Sequence, residues 1–453
     1  MAILLSKTMM SFFCLKNLQI KQFSNWKNLN MNIAFISYEY PPDTAYGGIA
    51  TYVHQAAMML SRRGHHVEVF SGSPHRTGTE NEECLLVHRI NVKNQFDFAK
   101  PIGQLFAQRH KVIQFDVLEG PDCAADAREA VRLVPDIPFV LKLHTPSILL
   151  LKLNYYEYET SFLKKICLYV AAFLKGVMPV WGYAPSTAAH RLHILQIDKI
   201  EQSHALEADE FVSPSLELGN ILIRKWGLDK TKISHVPYPY VPSEKLLKIS
   251  VETHTNIITF IGRLEMRKGV LDLARAIPLI LRHYPDAKFR FVGSAEHSPQ
   301  RNLDMRQYLE RMLQNNSRLV EFISHVPFDA IPNVLAETDI CVFPSLWENF
   351  PCVCLEAMAA ARGIVGSNAG GMAEMLDYGN AGRLVPPHSP KNIAQAVVKL
   401  LNDTQLRMGL GRAARNRLLE KYNTDSVGIL QEASYLRAIK RRQAQGSRLQ
   451  KNV

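Results

Sequence analysis

The sequence predicts an α/β protein of two parallel-sheet domains facing a central cleft. Three observations lead there. Short, continuous apolar runs recur along the chain. Each is followed by a longer stretch with helical spacing, the pattern of parallel strands covered by helices on both faces. The runs fall into two series, separated by a segment that has neither period.

The first series reads "NIAFIS" (32–37), "HVEVFSG" (66–72), "PFVLKLH" (138–144) and "EFVSPS" (210–215). The second reads "NIITFIGR" (256–263), "KFRFVG" (288–293), "VEFISHV" (320–326), "ICVFPS" (340–345) and "GIVGSN" (363–368). Between them "HVPYPYVPSEK" (235–245) holds three prolines and no helical period, so it reads as a linker. The expected boundaries are an N-terminal extension outside the fold (1–30), a first domain (31–238), a second domain (239–425) and a terminal helix with a basic tail (426–453). Within residues 1–30, "MAILLSKTMMSFFCLK" has a lysine inside its apolar patches and no small-residue cleavage site, which makes it a poor signal peptide.

Composition sets the outer limits. The chain has 453 residues, 47% hydrophobic and 21% charged, which suits two or three globular domains rather than a multi-span membrane protein. A net charge of +11 favours an anionic partner: a nucleotide, a membrane surface or nucleic acid. No basic–aromatic motif supports nucleic acid. The seven cysteines are scattered without a C-x-x-C pair, so reduced thiols in a cytoplasm are expected, and Cys352 and Cys354 read as small hydrophobes.

Ligands of doubly wound sheets bind beyond the carboxyl ends of the strands, so motifs at strand ends carry the functional argument. In "SYEYPPDTAYGGIATYVHQAAMML" (37–60), Gly47 and Gly48 open a helix where backbone N–H groups can approach an anion. A plain flexible turn is the simpler alternative. "FIGRLEMRKG" (260–269) places Arg263 and Lys268 at the exit of a strand. A guanidinium fork and an ammonium point charge together suit a diphosphate, although alone they read as surface charges. "SNAGGMAEML" (367–376) repeats the strand–glycine–helix pattern, with Gly370, Gly371 and Met372 offering backbone N–H groups.

"ENFPCVCLE" (348–356) sets Glu348 in a loop and Glu356 within a helix that Pro351 opens. Eight residues at helical rise span about 12 Å, the scale of a nucleotide sugar held at both ends. Glu356 is embedded in "CVCLEAMAAA", where a buried acid needs a partner. His144 closes "FVLKLHTP" at a strand end, as either a structural histidine or a sugar ligand. Glu119 and Asp122, in "DVLEGPDCAADA" (116–127), would face the acceptor side of the cleft. "GLGRAA" (409–414) follows polar residues rather than a strand, and "HRLH" (190–193) lacks a third metal ligand. No P-loop and no Asp-x-Asp occurs.

The glycine pair after the first strand, "GRLEMRKG", "ENFPCVCLE" and "AGGMAE" together resemble the family-4 retaining glycosyltransferases of GT-B fold, from Met31 to about residue 440. The resemblance implies two Rossmann-like domains and a nucleotide-sugar donor held mainly by the second. By likeness, Arg263 and Lys268 hold the diphosphate, and Gly47 and Gly48 close on it. Glu356 meets the ribose, and Glu348 lies near the donor sugar as a positioning and electrostatic group. The backbone of Asn349, Phe350 and Pro351 lines the sugar, His144 meets it from the first domain, and the terminal helix crosses back to that domain. The implied reaction moves a hexose-type sugar, with UDP-sugar favoured, to a glycan, lipid-linked or small-molecule hydroxyl. It retains configuration and needs no metal or other cofactor. An epimerase or phosphorylase on the same fold, or an idle nucleotide- or glycan-binding protein, are the alternatives. "FLKKICLYVAAFLKGVMPVWGYA" (162–184) reads as a core helix or as a peripheral membrane contact, with a location in the cytoplasm or at the inner membrane surface.

Overall fold

The computed structural model describes residues 30–45, 47–155, 188–300, 302–324 and 326–451. The leading segment up to residue 29 and the apolar stretch 162–184 lie outside the described residues, as do the side chains of "HRLH" (190–193). Among the described residues, no helix is long and apolar enough to cross a membrane.

Two sheets form, as the two series of apolar runs require. In the first, β1 (Asn32–Ser37), β2 (His66–Ser73), β3 (Gly78–Glu82), β4 (Leu85–Asn91), β5 (Val117–Pro121), β6 (Phe139–Lys142), β7 (Glu210–Ser213) and β8 (Ile233–His235) stand in the order β3-β4-β2-β1-β5-β6-β7-β8. Every pairing is parallel except β3 with β4. In the second, β9 (Ile257–Ile261), β10 (Lys288–Val292), β11 (Val320–Ile323), β12 (Ile340–Phe343), β13 (Gly363–Ser367) and β14 (Arg383–Val385) stand in the all-parallel order β11-β10-β9-β12-β13-β14. The strand order reverses between β1 and β5 in one sheet and between β9 and β12 in the other. Those are the places where a crevice opens at the carboxyl ends. "GLGRAA" lies inside the helix Thr404–Lys421, so it forms no dinucleotide turn.

The chain crosses between the domains twice, and the crossings touch. The linker amide of Tyr240 donates to the carbonyl of Tyr422 at 2.7 Å. Tyr238, Tyr240, Phe350 and Tyr422 all belong to one apolar cluster that includes residues of both domains. After the second crossing, the helix Thr424–Lys451 lies against β5, β6, β7 and the helix Gly48–Arg62 of the first domain.

Buried acids hold that helix in place. Arg437 and Arg441 pair with Glu210, Arg442 with Asp209, and Arg63 with Glu432. Glu119 belongs to the same set, which corrects its sequence reading as an acceptor ligand. Its carboxylate is 1% exposed and accepts from Tyr52 (2.6 Å), Gln431 (2.7 Å) and Tyr435 (2.8 Å). Two of its hydrogen bonds come from the terminal helix and one from the helix Gly48–Arg62, so both oxygens are engaged within the fold. Glu119→Ala is therefore expected to lower stability by about 3 kcal/mol, because it leaves buried donors without an acceptor. Glu119→Gln should recover part of that loss. Thermal melts of the purified proteins check both outcomes.

Candidate functional site

The second sheet builds the charged part of the site from two loops at its switch point. After β9 the chain makes a tight turn over Met266–Lys268 and ends it at Gly269, with φ +71°. A Cβ on Gly269 would lie 1.9 Å from the carbonyl oxygen of Pro344, so only glycine lets the loop after β12 come this close. The amide of Leu346 then donates to the Arg267 carbonyl at 2.8 Å. This docking brings Glu348 onto the cations. Lys268 Nζ lies 2.5 Å and Arg267 Nη1 2.9 Å from the same Glu348 oxygen, while Arg267 also pairs with Glu265 at 2.7 Å.

Burial alone would push the Glu348 carboxyl up. Lys268 and Arg267 outweigh it and hold the group below the usual carboxylate range, so it is an anion already committed to two cations. Arg263 differs. It pairs with Glu265 at 3.4 Å but is half exposed, so part of its fork is open to a ligand.

Glu356 sits on the helix Cys352–Ala359 that Pro351 opens. It is 5% exposed, its Oε2 has no hydrogen-bond partner, and burial pushes its carboxyl up to about 8. It lines a cavity of about 500 Å³ with Leu246 and Lys248 from beyond the linker and Phe328, Ile331 and Pro332 from the second domain.

The glycines after β13 serve close packing. A Cβ on Gly370 would lie 2.0 Å from the Glu348 carbonyl oxygen, and one on Gly371 2.0 Å from that of Asn349. The amide of Gly371 donates to the Glu348 carbonyl at 2.8 Å, so it is not free to bind a phosphate, contrary to the sequence reading. Met372 is fully buried at the start of the short helix that follows.

Asn349 and Phe350 also depart from a purely donor-lining role, because their side chains face the domain interface. Asn349 Oδ1 accepts from Ser215 at 2.8 Å and its Nδ2 donates to the His144 carbonyl at 3.0 Å. Phe350 packs edge-on against Tyr238 and Tyr422. Glu374 adds two bonds across the interface, accepting from the amides of Leu216 and Glu217.

On the first-domain side, His144 is 4% exposed. Its amide donates to Asp122 Oδ1 at 2.9 Å, its Nδ1 lies 2.6 Å from the Tyr238 hydroxyl, and its Nε2 has no partner. Burial, with a smaller push from Lys142, lowers its pKa to about 3, so the ring is neutral. Asp122 is fully buried, with Oδ2 unpartnered and its carboxyl pushed up to about 8 by burial and by Glu201. It supports the backbone of His144.

Gly47 precedes the helix that starts at Gly48. Gly47 lies beside Glu39 Oε2, and Gly48 lies beside Cys352 of the other domain. Sequence reasoning missed Glu39, whose carboxyl burial pushes up while the amide of Ala50 and the charge of Arg263 pull it down. It also missed Arg267. An acid two residues beyond β1 and a third basic residue in "GRLEMRKG" were the available signals.

Fold and site together define a GT-B glycosyltransferase: two facing Rossmann-like domains, with cations and carboxylates at the carboxyl ends of the second sheet. One family model, described as Glycosyltransferase Family 4, matches residues 46–243, and another, Glycosyl transferases group 1, matches residues 255–403. The chain belongs to this family. An uncharacterised glycosyltransferase of Methanocaldococcus jannaschii is 27% identical over 419 residues, 88% of this chain and 96% of its own. The glycogen synthase of Mycobacterium tuberculosis is 26% identical over 443 residues, 90% of this chain and 95% of its own.

Among solved structures, sucrose-phosphate synthase from Thermosynechococcus elongatus shares the fold with a TM-score of 0.65 at 20% identity, covering 90% of this chain and 98% of its own. HepE of Anabaena in complex with UDP-glucose does so with a TM-score of 0.58 at 16% identity, covering 89% and 100%.

Asn349→Ala removes two hydrogen bonds that join the domains, and the lost contacts should favour the open cleft by about 2 kcal/mol. Solution scattering is expected to show a larger radius of gyration than for the parent protein, with helical content unchanged by circular dichroism.

Proposed function

We propose that this glycosyltransferase moves a hexose-type sugar from a nucleoside-diphosphate sugar, UDP-sugar by preference, to a hydroxyl acceptor, with retention and without a metal. The observation that carries the reading is the division of labour at the second switch point. Lys268 and Glu348 are paired at 2.5 Å, while beside them lie the half-exposed Arg263, 3.4 Å from Glu265, and the buried Oε2 of Glu356, which has no hydrogen-bond partner among the described residues. A diphosphate takes Arg263 and Lys268, and the ribose hydroxyls donate to Glu356. The cavity beside Glu356 takes the nucleoside. HepE, a protein of the same fold, was solved with UDP-glucose, which supports this class of donor.

The chemistry follows from where charge develops. As the bond from the anomeric carbon to the phosphate oxygen breaks, negative charge grows on the leaving diphosphate, and fixed cations stabilise it most in the transition state. The acceptor hydroxyl attacks from the same face and gives its proton to the leaving phosphate. Glu348 is a poor nucleophile here, because one of its oxygens already serves Lys268 and Arg267. It positions Lys268. His144 faces the sugar from the first domain, and Asp122 holds its backbone. The acceptor class is a glycan, a lipid-linked sugar or a small-molecule hydroxyl, reached in the cytoplasm or at the inner membrane surface.

A donor screen tests the reading. UDP-, GDP- and ADP-sugars are offered with EDTA present, scoring ligand-induced thermal shift and slow release of the nucleoside diphosphate. A shift with one base, lost in Arg263→Ala and Glu356→Ala, is the expected result. No shift with any nucleotide sugar in folded protein would overturn it.

Proton linkage supplies a second check. With its carboxyl at about 8, Glu356 is protonated at pH 7 in the empty cleft. Ribose hydroxyls that donate to it favour the anion, so nucleotide binding should release close to one proton at pH 7 and almost none at pH 9. The same raised value makes native stability fall as pH rises from about 4.5 through about 8. Calorimetry in buffers of different ionisation enthalpy measures the release, and Glu356→Gln should abolish it.

A further inference from the structure

We propose that Tyr238 is a positioning residue that fixes the proton of His144 on Nε2, making the ring a hydrogen-bond donor toward the donor sugar. The proposal rests on the donor-cleft reading above for what the ring faces, but not for how the ring is set.

The main chain of His144 is held at both ends. Its amide donates to Asp122 Oδ1 and its carbonyl accepts from Asn349 Nδ2. Those contacts place the residue but leave open which ring nitrogen carries the proton. The only side chain hydrogen-bonded to the ring, among the described residues, is Tyr238, whose hydroxyl is 2.6 Å from Nδ1. A phenol is a far stronger acid than a neutral imidazole N–H, and an imidazole nitrogen is a far better base than a phenol oxygen. The proton between them therefore stays on Tyr238. Nδ1 accepts, and the single ring proton of neutral His144 goes to Nε2, a buried atom with no hydrogen-bond partner among the described residues.

Packing holds Tyr238 to this task. Its ring lies 4.8 Å from that of Tyr52 and meets Phe350 edge-on at 5.3 Å, with the Lys142 ammonium 5.3 Å from its centroid. Tyr52 in turn meets the His144 ring edge-on at 5.5 Å. Tyr238 lies in the segment that joins the domains, and Phe350 lies in the donor loop of the second domain. The orienting hydroxyl is thus gripped by both domains at once. A linker that looks like a tether contributes a group that acts through the catalytic cleft's histidine.

The test uses the full-length protein. Long-range proton–nitrogen correlation spectra of ¹⁵N-labelled protein without ligand, with His144 assigned by comparison with His144→Ala, are expected to show a protonated Nε2 and an accepting Nδ1. A protonated Nδ1 in the parent protein overturns the proposal and needs no variant to fold. In Tyr238→Phe the ring should become a mixture of tautomers. Its kcat should fall about tenfold, the worth of one oriented hydrogen bond, with the Kd for UDP unchanged within about twofold.

In a His144→Ala background, Tyr238→Phe should change kcat no further, because its effect passes through the imidazole. An equal loss in both backgrounds, or an unchanged kcat in the single variant, overturns the positioning role. A failed donor screen with the Nε2–H tautomer in place would instead sink the reading of the cleft and leave the pairing of Tyr238 with His144 standing.

Discussion

A buried carboxylate cannot be left alone, and Glu348 is 7% exposed. That constraint organises the second domain. The side chain reaches back to Arg267 and Lys268, which ties the loop after β12 to the turn after β9. Its carbonyl accepts from Gly371, which ties the same residue to the loop after β13. One residue thus joins three strand ends, and the glycines at 269, 370 and 371 exist because the backbones it draws together leave no room for a Cβ. The paired charges are already assembled, so in the proposed reaction they do not have to reorganise as the leaving group departs.

The first domain solves a similar problem with distant partners. Glu119 within β5, and Asp209 and Glu210 at the start of β7, are all buried, and all have partners on the helix Thr424–Lys451. Breaking such pairs is costly because each leaves a charge or a donor unpaired. The helix is therefore as much a part of the first domain as its strands. Between these two networks lies an aromatic seam of Tyr52, Tyr238, Phe350 and Tyr422, which packs where the domains meet.

Much of this was legible in the chain. The central strands could be read because both of their faces are covered, so they appear as unbroken apolar runs; β1 occupies the very residues of "NIAFIS". β3, β8 and β14 escaped notice because they are polar or only three residues long, β3 being "GTENE" with no apolar residue at all, and the interior β4, "LLVHRIN", was missed as well. At the site, Arg263, Lys268, Glu348 and Glu356 stood out through spacing and chemistry. Glu119 was misread because a strand-end acid looks the same in sequence whether a ligand or a helix more than 300 residues away accepts its charge. Tyr238 was hidden for a different reason. It sits among prolines in a linker, and nothing in "PYPYVP" says which of its two tyrosines will reach a histidine 94 residues earlier.

The return of the terminal helix also bears on how the protein is made. The second domain is an insertion: the chain leaves the first domain at Tyr238, builds a complete second sheet, and comes back past Tyr422. On the ribosome, every strand of the first sheet emerges before the helix that hydrogen-bonds Glu119 and pairs with Asp209 and Glu210 has been synthesised. The domain that begins first is finished last. Until then its acids must remain hydrated or protonated, and its final consolidation waits on the synthesis of the helix Thr424–Lys451.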